Sequence, residues 1–183
     1  MKILNVLIIR YFRRVKNKVL IFIIILLITP IICGIYGVLH DQFTYTISPE
    51  YFTKFKFIQF QTAEAIPNRL AVSIVGFKAT WWVGIPLGIV LALIGLIHAD
   101  WREMLNVYLK SLVRIIPVVF LVGLIGLFWG WGFHKESDLH WFFPENLVDT
   151  KNFMMVGSMH NFSYIGGAIG LFVGVTYQFL AKK

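Results

Sequence analysis

The chain of 183 residues is too apolar to be a water-soluble domain, because 58% of its residues are apolar and only 14% are charged. Its mean hydropathy is +0.75 and its pI is about 9.7. Nucleic-acid binding, the usual interpretation of so basic a chain, is disfavoured because the cations lie in short segments beside apolar stretches. No nucleic acid is therefore expected as a partner.

Four apolar stretches are long enough to cross the membrane, since about 20 helical residues cross about 30 Å of hydrocarbon. We predict an all-α membrane protein, a four-helix transmembrane bundle. Its predicted transmembrane helices are residues 19–39, 70–97, 115–133 and 153–180.

The distribution of Lys and Arg predicts the orientation, because cations that flank a transmembrane helix stay in the cytoplasm. The predicted inner side carries Lys2, Arg10, Arg13, Arg14, Lys16, Lys18, Arg102, Lys110, Arg114, Lys182 and Lys183. The outer side has fewer cations and more acids, so we predict an N-in/C-in topology. The remaining segments are then a basic interfacial helix at 1–18, an extracytoplasmic cap segment at 40–69, a cytoplasmic loop at 98–114, an extracytoplasmic loop at 134–152 and a cytoplasmic tail at 181–183.

The cap segment is rich in aromatic residues, which suits the headgroup layer or the top of the bundle. Apolar and polar residues alternate over 43–47, which predicts a short extended strand. Ser48, Pro49 and Glu50 form an N-cap, a first-turn proline and a first-turn acid, so we predict that a short helix begins there. Pro67 marks the turn into the second transmembrane helix.

Small residues recur at four-residue spacing in the second and fourth transmembrane helices. Such ridges let helix backbones approach closely in lipid. The spacing predicts that these two helices pack tightly, with each other or with a second copy of the chain. The glycines concerned are Gly76, Gly84, Gly88, Gly166, Gly170 and Gly174.

Polar residues gather at one height near the predicted outer surface. The candidate cluster is His40, Asp41, Glu50, Lys78, His160, Asn161, Ser163 and Tyr164, and His134 and His140 fall at the same height. A histidine beside a carboxylate is suited to binding a transition metal or relaying protons. The alternative is a set of interfacial polar contacts, with the ammonium of Lys78 extended to the headgroups. Because no short metal-ligand spacing such as H-x-x-H occurs, neither a metal nor a cofactor is predicted.

The run from His40 to Gln42, followed by Ile47 to Thr53, resembles a run found in uncharacterised bacterial integral membrane proteins. The resemblance covers less than a tenth of the chain. It implies a bacterial origin and supplies no activity.

The transmembrane helices have no Asp or Glu at mid-membrane, which disfavours a coupled transporter. The sequence favours a non-enzymatic accessory or assembly subunit of the bacterial inner membrane. Its expected partners are the lipid bilayer and a membrane-protein partner or a homo-oligomer. The alternative is an outer-face lipid- or metal-dependent membrane enzyme that uses His40, Asp41, Lys78 and His160, and a small transporter comes third. Whether the chain is an enzyme is left open.

Overall fold

The structure, a computed structural model, describes residues 2–63, 65–132, 141 and 143–182, and residues 2–14 by their backbone alone. Within these residues every regular element is helical. Four of the described helical segments are long and apolar enough to cross a membrane: Val15–Ile47, Asn68–Gly95, Trp101–Gly132 and Thr150–Leu180. The predicted all-helical class and the four potential transmembrane helices are therefore confirmed.

Helix α1 runs without a break over Lys2–Ile47, with Pro30 inside it. The predicted strand over 43–47 is therefore wrong. Thr44 and Thr46 fit the helix because their hydroxyls donate to the carbonyls four residues earlier, at 3.1 and 3.0 Å. Helical spacing also buries Thr44 and Ser48 on the same face as His40. That burial outweighs the preference of Thr for extended backbone.

Residues 48–60 of the predicted cap segment follow α1, and from here on we call these residues the cap. It comprises α2 (Pro49–Tyr51), a π-helical turn (Phe52–Lys56) and α3 (Phe57–Gln59). The predicted helix start is confirmed, since the Ser48 side chain accepts a hydrogen bond from the Tyr51 amide at 3.3 Å. Two cap side chains, Tyr51 and Phe52, are buried against residues of α4 (Asn68–Thr80) and of α7 (Thr150–Leu180). The cap therefore closes one end of the bundle, which we call the cap end.

The second potential transmembrane segment is divided into α4 (Asn68–Thr80), a 3-10 turn (Trp81–Val83) and α5 (Gly84–Gly95). The predicted turn at Pro67 is confirmed, because α4 begins at the next residue. Pro86 explains the interruption: it has no amide hydrogen to donate to the Trp82 carbonyl, and its ring crowds that carbonyl.

Helix α6 covers Trp101–Gly132. The prediction of a loop over 98–114 is therefore wrong from Trp101 onward. The carboxylate of Asp100 accepts hydrogen bonds from the amides of Arg102 and Glu103 at 2.8 and 3.0 Å. The charged residues that suggested a loop therefore lie at the start of α6. A short turn at 96–100 joins α5 to α6.

The two glycine ridges do not face each other. Gly76, Gly84 and Gly88 face Gly37, Pro30 and Thr29 of α1, whereas Gly166, Gly170 and Gly174 face Val119 and Ile115 of α6. The prediction that the second and fourth transmembrane helices pack on each other through these glycines is therefore wrong. Each ridge packs on the preceding helix: Gly76 meets the backbone of Gly37 in α1, and the glycines of α7 make room for the branched side chains of Val119 and Ile115 in α6.

Candidate functional site

Four polar side chains from two helices meet beneath the cap. His40 and Asp41 lie in α1, and His160 and Ser163 lie one turn apart in α7. The Asp41 Oδ1 atom is 3.1 Å from the His40 Nδ1 atom and 3.1 Å from the His160 Nε2 atom. On the far side of the His40 ring, the Nε2 atom is 3.1 Å from the Ser163 hydroxyl. We call these four residues the His-Asp-His-Ser cluster.

The cluster is buried although it contains a carboxylate. Asp41 is 2% exposed, and both histidines are less than a tenth exposed. The Tyr51 ring covers it from the cap, with its centroid 4.9 Å from that of His160. Burial of an ionised carboxylate is costly unless a cation or hydrogen bonds compensate it. The partners of Asp41 therefore decide what this site can do.

The hydrogen bonds of His160 leave its second nitrogen facing a negative charge. Its Nδ1 atom is 2.9 Å from the Val156 carbonyl, which can only accept, so the proton of a neutral ring is on Nδ1. The lone pair of Nε2 then points at the Asp41 carboxylate. The other oxygen of Asp41, Oδ2, is buried and has no hydrogen-bond partner among the described residues. The arrangement calls for a cation at this position, either a proton on Nε2 or a metal ion.

The residues present fit a divalent transition metal. One ligand atom each from His40, Asp41 and His160 can be chosen so that all three lie within 4.8 Å of one another. Ligands of tetrahedral zinc, with bonds of about 2.0–2.1 Å, are separated by about 3.3 Å, close to the 3.1 Å between Asp41 Oδ1 and each histidine nitrogen; the two nitrogens lie within 4.8 Å of each other. The ring nitrogens that face away from Asp41 also have hydrogen-bond partners, the Val156 carbonyl for His160 and the Ser163 hydroxyl for His40. Second hydrogen bonds of this kind orient metal-binding histidines.

Four other residues of the candidate cluster lie away from its centre. Tyr164 donates to the Ala79 carbonyl at 3.3 Å, and the exposed Asn161 lines a cavity described below. Lys78 is exposed on α4. Glu50 lies in the cap, and His134 and His140 fall outside the described residues.

Glu50 ties the cap to the start of α7. Its carboxylate accepts hydrogen bonds from the amides of Val148 and Asp149 and forms an ion pair with Lys54. Lys54 and these amides lower the pKa of Glu50 to about 2. The role that the contacts support for Glu50 is structural.

Three residues at or beside the cluster were not predicted as part of it: Thr44, Tyr51 and Lys56. The spacing of His40, Thr44 and Ser48 could have indicated a shared polar face, since residues four apart lie on one face of a helix. Tyr51, at the end of α2, and Lys56, at the end of the π-helical turn, carried no such signal, because their placement depends on how the cap packs against α4 and α7.

Comparison of the chain with protein-family models, curated proteins and solved structures finds no match.

Proposed function

We propose that this chain is an integral membrane protein that binds one divalent transition-metal ion through His40, Asp41 and His160 and uses it in catalysis. The observation that carries the proposal is that His40 Nδ1 and His160 Nε2 each lie 3.1 Å from one oxygen of a buried carboxylate, whose second oxygen has no partner among the described residues. A metal ion held by these three side chains would compensate the charge of the buried carboxylate.

The number of ligands favours catalysis over a structural role. Structural zinc sites have four protein ligands, whereas catalytic sites have three and keep one position for water or substrate. Two histidines and one carboxylate form such a set of three. In that position a metal would lower the pKa of a bound water or polarise a substrate oxygen. The side chains of this protein would hold the metal, and the cap would exclude bulk water.

Metal analysis of the purified protein tests the proposal. The detergent-solubilised protein is stripped with a chelator, dialysed against Co²⁺ or Zn²⁺ and analysed by mass spectrometry. We expect one ion per chain, a visible Co²⁺ spectrum of low coordination number, and a spectral change on adding azide, which needs an open position. Asp41→Asn and His160→Gln should each lose the ion.

The matched control is His98→Gln, which alters a buried histidine near the other end of the bundle. It should bind Co²⁺ as the unmodified protein does. A folded protein that binds no Co²⁺, or that binds it equally well after Asp41→Asn, would contradict the proposal. The cluster would then hold a proton on His160 Nε2.

We further propose that both termini face the cytoplasm. The support is the excess of Lys and Arg beside the predicted inner ends of the helices and the acidic residues near the cap. On this orientation the His-Asp-His-Ser cluster lies near the outer surface of the membrane. A bacterial inner membrane stays a prediction from the sequence, and the catalytic proposal replaces the non-enzymatic accessory role that the sequence favoured.

A further inference from the structure

A cavity of about 380 Å³ opens beside the His-Asp-His-Ser cluster, between the cap and α7. Residues that line it include Tyr51, Phe55, Lys56, Gln59, Trp141 and Asn161. Its wall therefore combines aromatic rings with one cation and two amides. A site for a small ligand has this composition, with a few polar groups placed among apolar ones.

Lys56 is the charged group of the cavity, and its ammonium has no carboxylate partner among the described residues. The nitrogen lies 5.2 to 5.7 Å from the centroids of Phe55, Phe60 and Tyr51 and donates to the amide oxygen of Gln59 at 2.9 Å. Burial among these rings lowers the pKa of Lys56, and the charge of the Asp41 carboxylate opposes this shift only in part. The neighbouring Lys54 differs, since its ammonium is already engaged by Glu50.

We propose that this cavity binds a phosphate-bearing anion, the headgroup of an anionic lipid, with Lys56 as the group that contacts the phosphate. A lysine ammonium binds phosphate as a point charge. The amides of Gln59 and Asn161 suit hydroxyl or phosphate oxygens, and the rings suit the apolar part of the headgroup. Lipid phosphates are the abundant anions at the height where the cap lies on the proposed orientation.

The position of the cavity makes it the substrate site of the proposed metal centre, and in this respect the inference rests on the proposed function. Tyr51 lines the cavity and covers His160 at the same time. Asn161 follows His160 in α7, and Gly157 precedes it by one turn and also lines the cavity. A headgroup held by Lys56 would therefore sit beside the metal ligands.

Binding of short-chain lipids to the full-length protein in a maltoside detergent tests the inference by calorimetry. The probes are dihexanoyl phosphatidylglycerol, zwitterionic dihexanoyl phosphatidylcholine, glycerol 3-phosphate and inorganic phosphate. We expect saturable binding of phosphatidylglycerol that Lys56→Gln weakens by about tenfold or more. Lys78→Gln, at an exposed lysine outside the cavity, should leave the affinity unchanged.

Gly157→Val is a second variant that keeps Lys56 and fills the cavity, because a Cβ there would lie 2.7 Å from the Trp141 ring. It should also abolish binding. Equal binding of phosphatidylcholine, or no effect of Lys56→Gln, would overturn the inference. Equally tight binding of inorganic phosphate, with the same dependence on Lys56, would support the phosphate site and overturn the lipid as its source.

The outcomes separate this inference from the proposed function. Lys56→Gln protein should still bind one Co²⁺, because Lys56 is not a ligand. Loss of Co²⁺ binding with unchanged lipid binding in Asp41→Asn would support both proposals, a metal centre that needs Asp41 and a phosphate site that does not. Lipid binding through Lys56 in a protein that never binds Co²⁺ would overturn the metal centre and leave the phosphate site standing.

Discussion

His160 illustrates how hydrogen bonds define what a buried imidazole can do. Its Nδ1 atom is committed to the Val156 carbonyl in its own helix, so only Nε2 is left to face Asp41. His40 has the matching arrangement, with Nδ1 toward Asp41 and Nε2 toward Ser163. Both inward nitrogens therefore converge on one carboxylate, and both outward nitrogens act as anchors.

Ser163→Ala tests the anchor of His40. Without the hydroxyl the ring loses the partner that fixes its orientation, so we expect metal affinity to fall by about 10- to 100-fold. The measurement is competition for Co²⁺ with a chelator of known affinity. Ser73→Ala is the control, because Ser73 bonds Gln42 and Arg69 outside the cluster. Equal Co²⁺ affinity in both variants would show that Ser163 does not position a ligand.

Glu50 makes the attachment of the cap sensitive to acid. Its pKa is lowered to about 2, below the unperturbed value of about 4.3, so the carboxylate stabilises the fold fully above about pH 4.3. This contribution is lost as the pH falls through that window toward 2. We expect the midpoint of thermal unfolding to fall more steeply between pH 5 and about 3 in the unmodified protein than in Glu50→Gln. Parallel pH curves would contradict the tie between the cap and α7.

At the scale of elements, the helices associate through close backbone crossings. A Cβ at Gly76 would lie 2.7 Å from the carbonyl carbon of Gly37, and a Cβ at Gly37 would strike the Gly76 carbonyl. Backbone atoms cannot rotate away as side chains can. This crossing fixes the position of α4 against α1. It therefore also fixes the surface of α4 on which Tyr51 and Phe52 pack.

Gly76→Ala should therefore lower the free energy of unfolding by about 1–3 kcal/mol, the usual cost of overpacking. The matched control is Gly167→Ala in α7, where a Cβ meets nothing within 4 Å. That change should be neutral or stabilising, since Ala is the better helix former by up to about 1 kcal/mol. Thermal unfolding in detergent, followed by circular dichroism, gives the comparison. A similar midpoint for the two variants would contradict the crossing.

At the scale of the whole molecule, the cap and the turn at 96–100 lie at opposite ends of the bundle. Labelling of single cysteines in a Cys33→Ala background tests the proposed orientation. Gln59 and Ala99 are both exposed, one at each end. We expect an impermeant maleimide to label Gln59→Cys on intact cells and Ala99→Cys only after permeabilisation. The reverse pattern would invert the topology and place the metal site on the cytoplasmic face.

Association with a membrane-protein partner or a second copy of the chain concerns the outside of the bundle, and it stays a prediction. Large apolar side chains such as Leu27, Phe128 and Phe172 are exposed, as expected of helices that face lipid. The same surface suits a partner helix. Crosslinking in native membranes is the measurement, and a chain recovered only as a monomer would contradict the prediction.

The helical class and the four potential transmembrane helices followed from the sequence alone, because apolar length and composition are local properties. The start of the short helix at Ser48 was equally local, since an N-cap is formed by neighbouring residues. Tertiary structure decided which helix each glycine ridge faces, since that depends on the shape of the partner helix. It also decided that His40, Asp41 and His160 meet and that Lys78 does not join them. A sequence gives the height of such residues along their helices, but the rotation of α7 about its axis, which brings His160 within 3.1 Å of Asp41, is fixed by packing across the bundle.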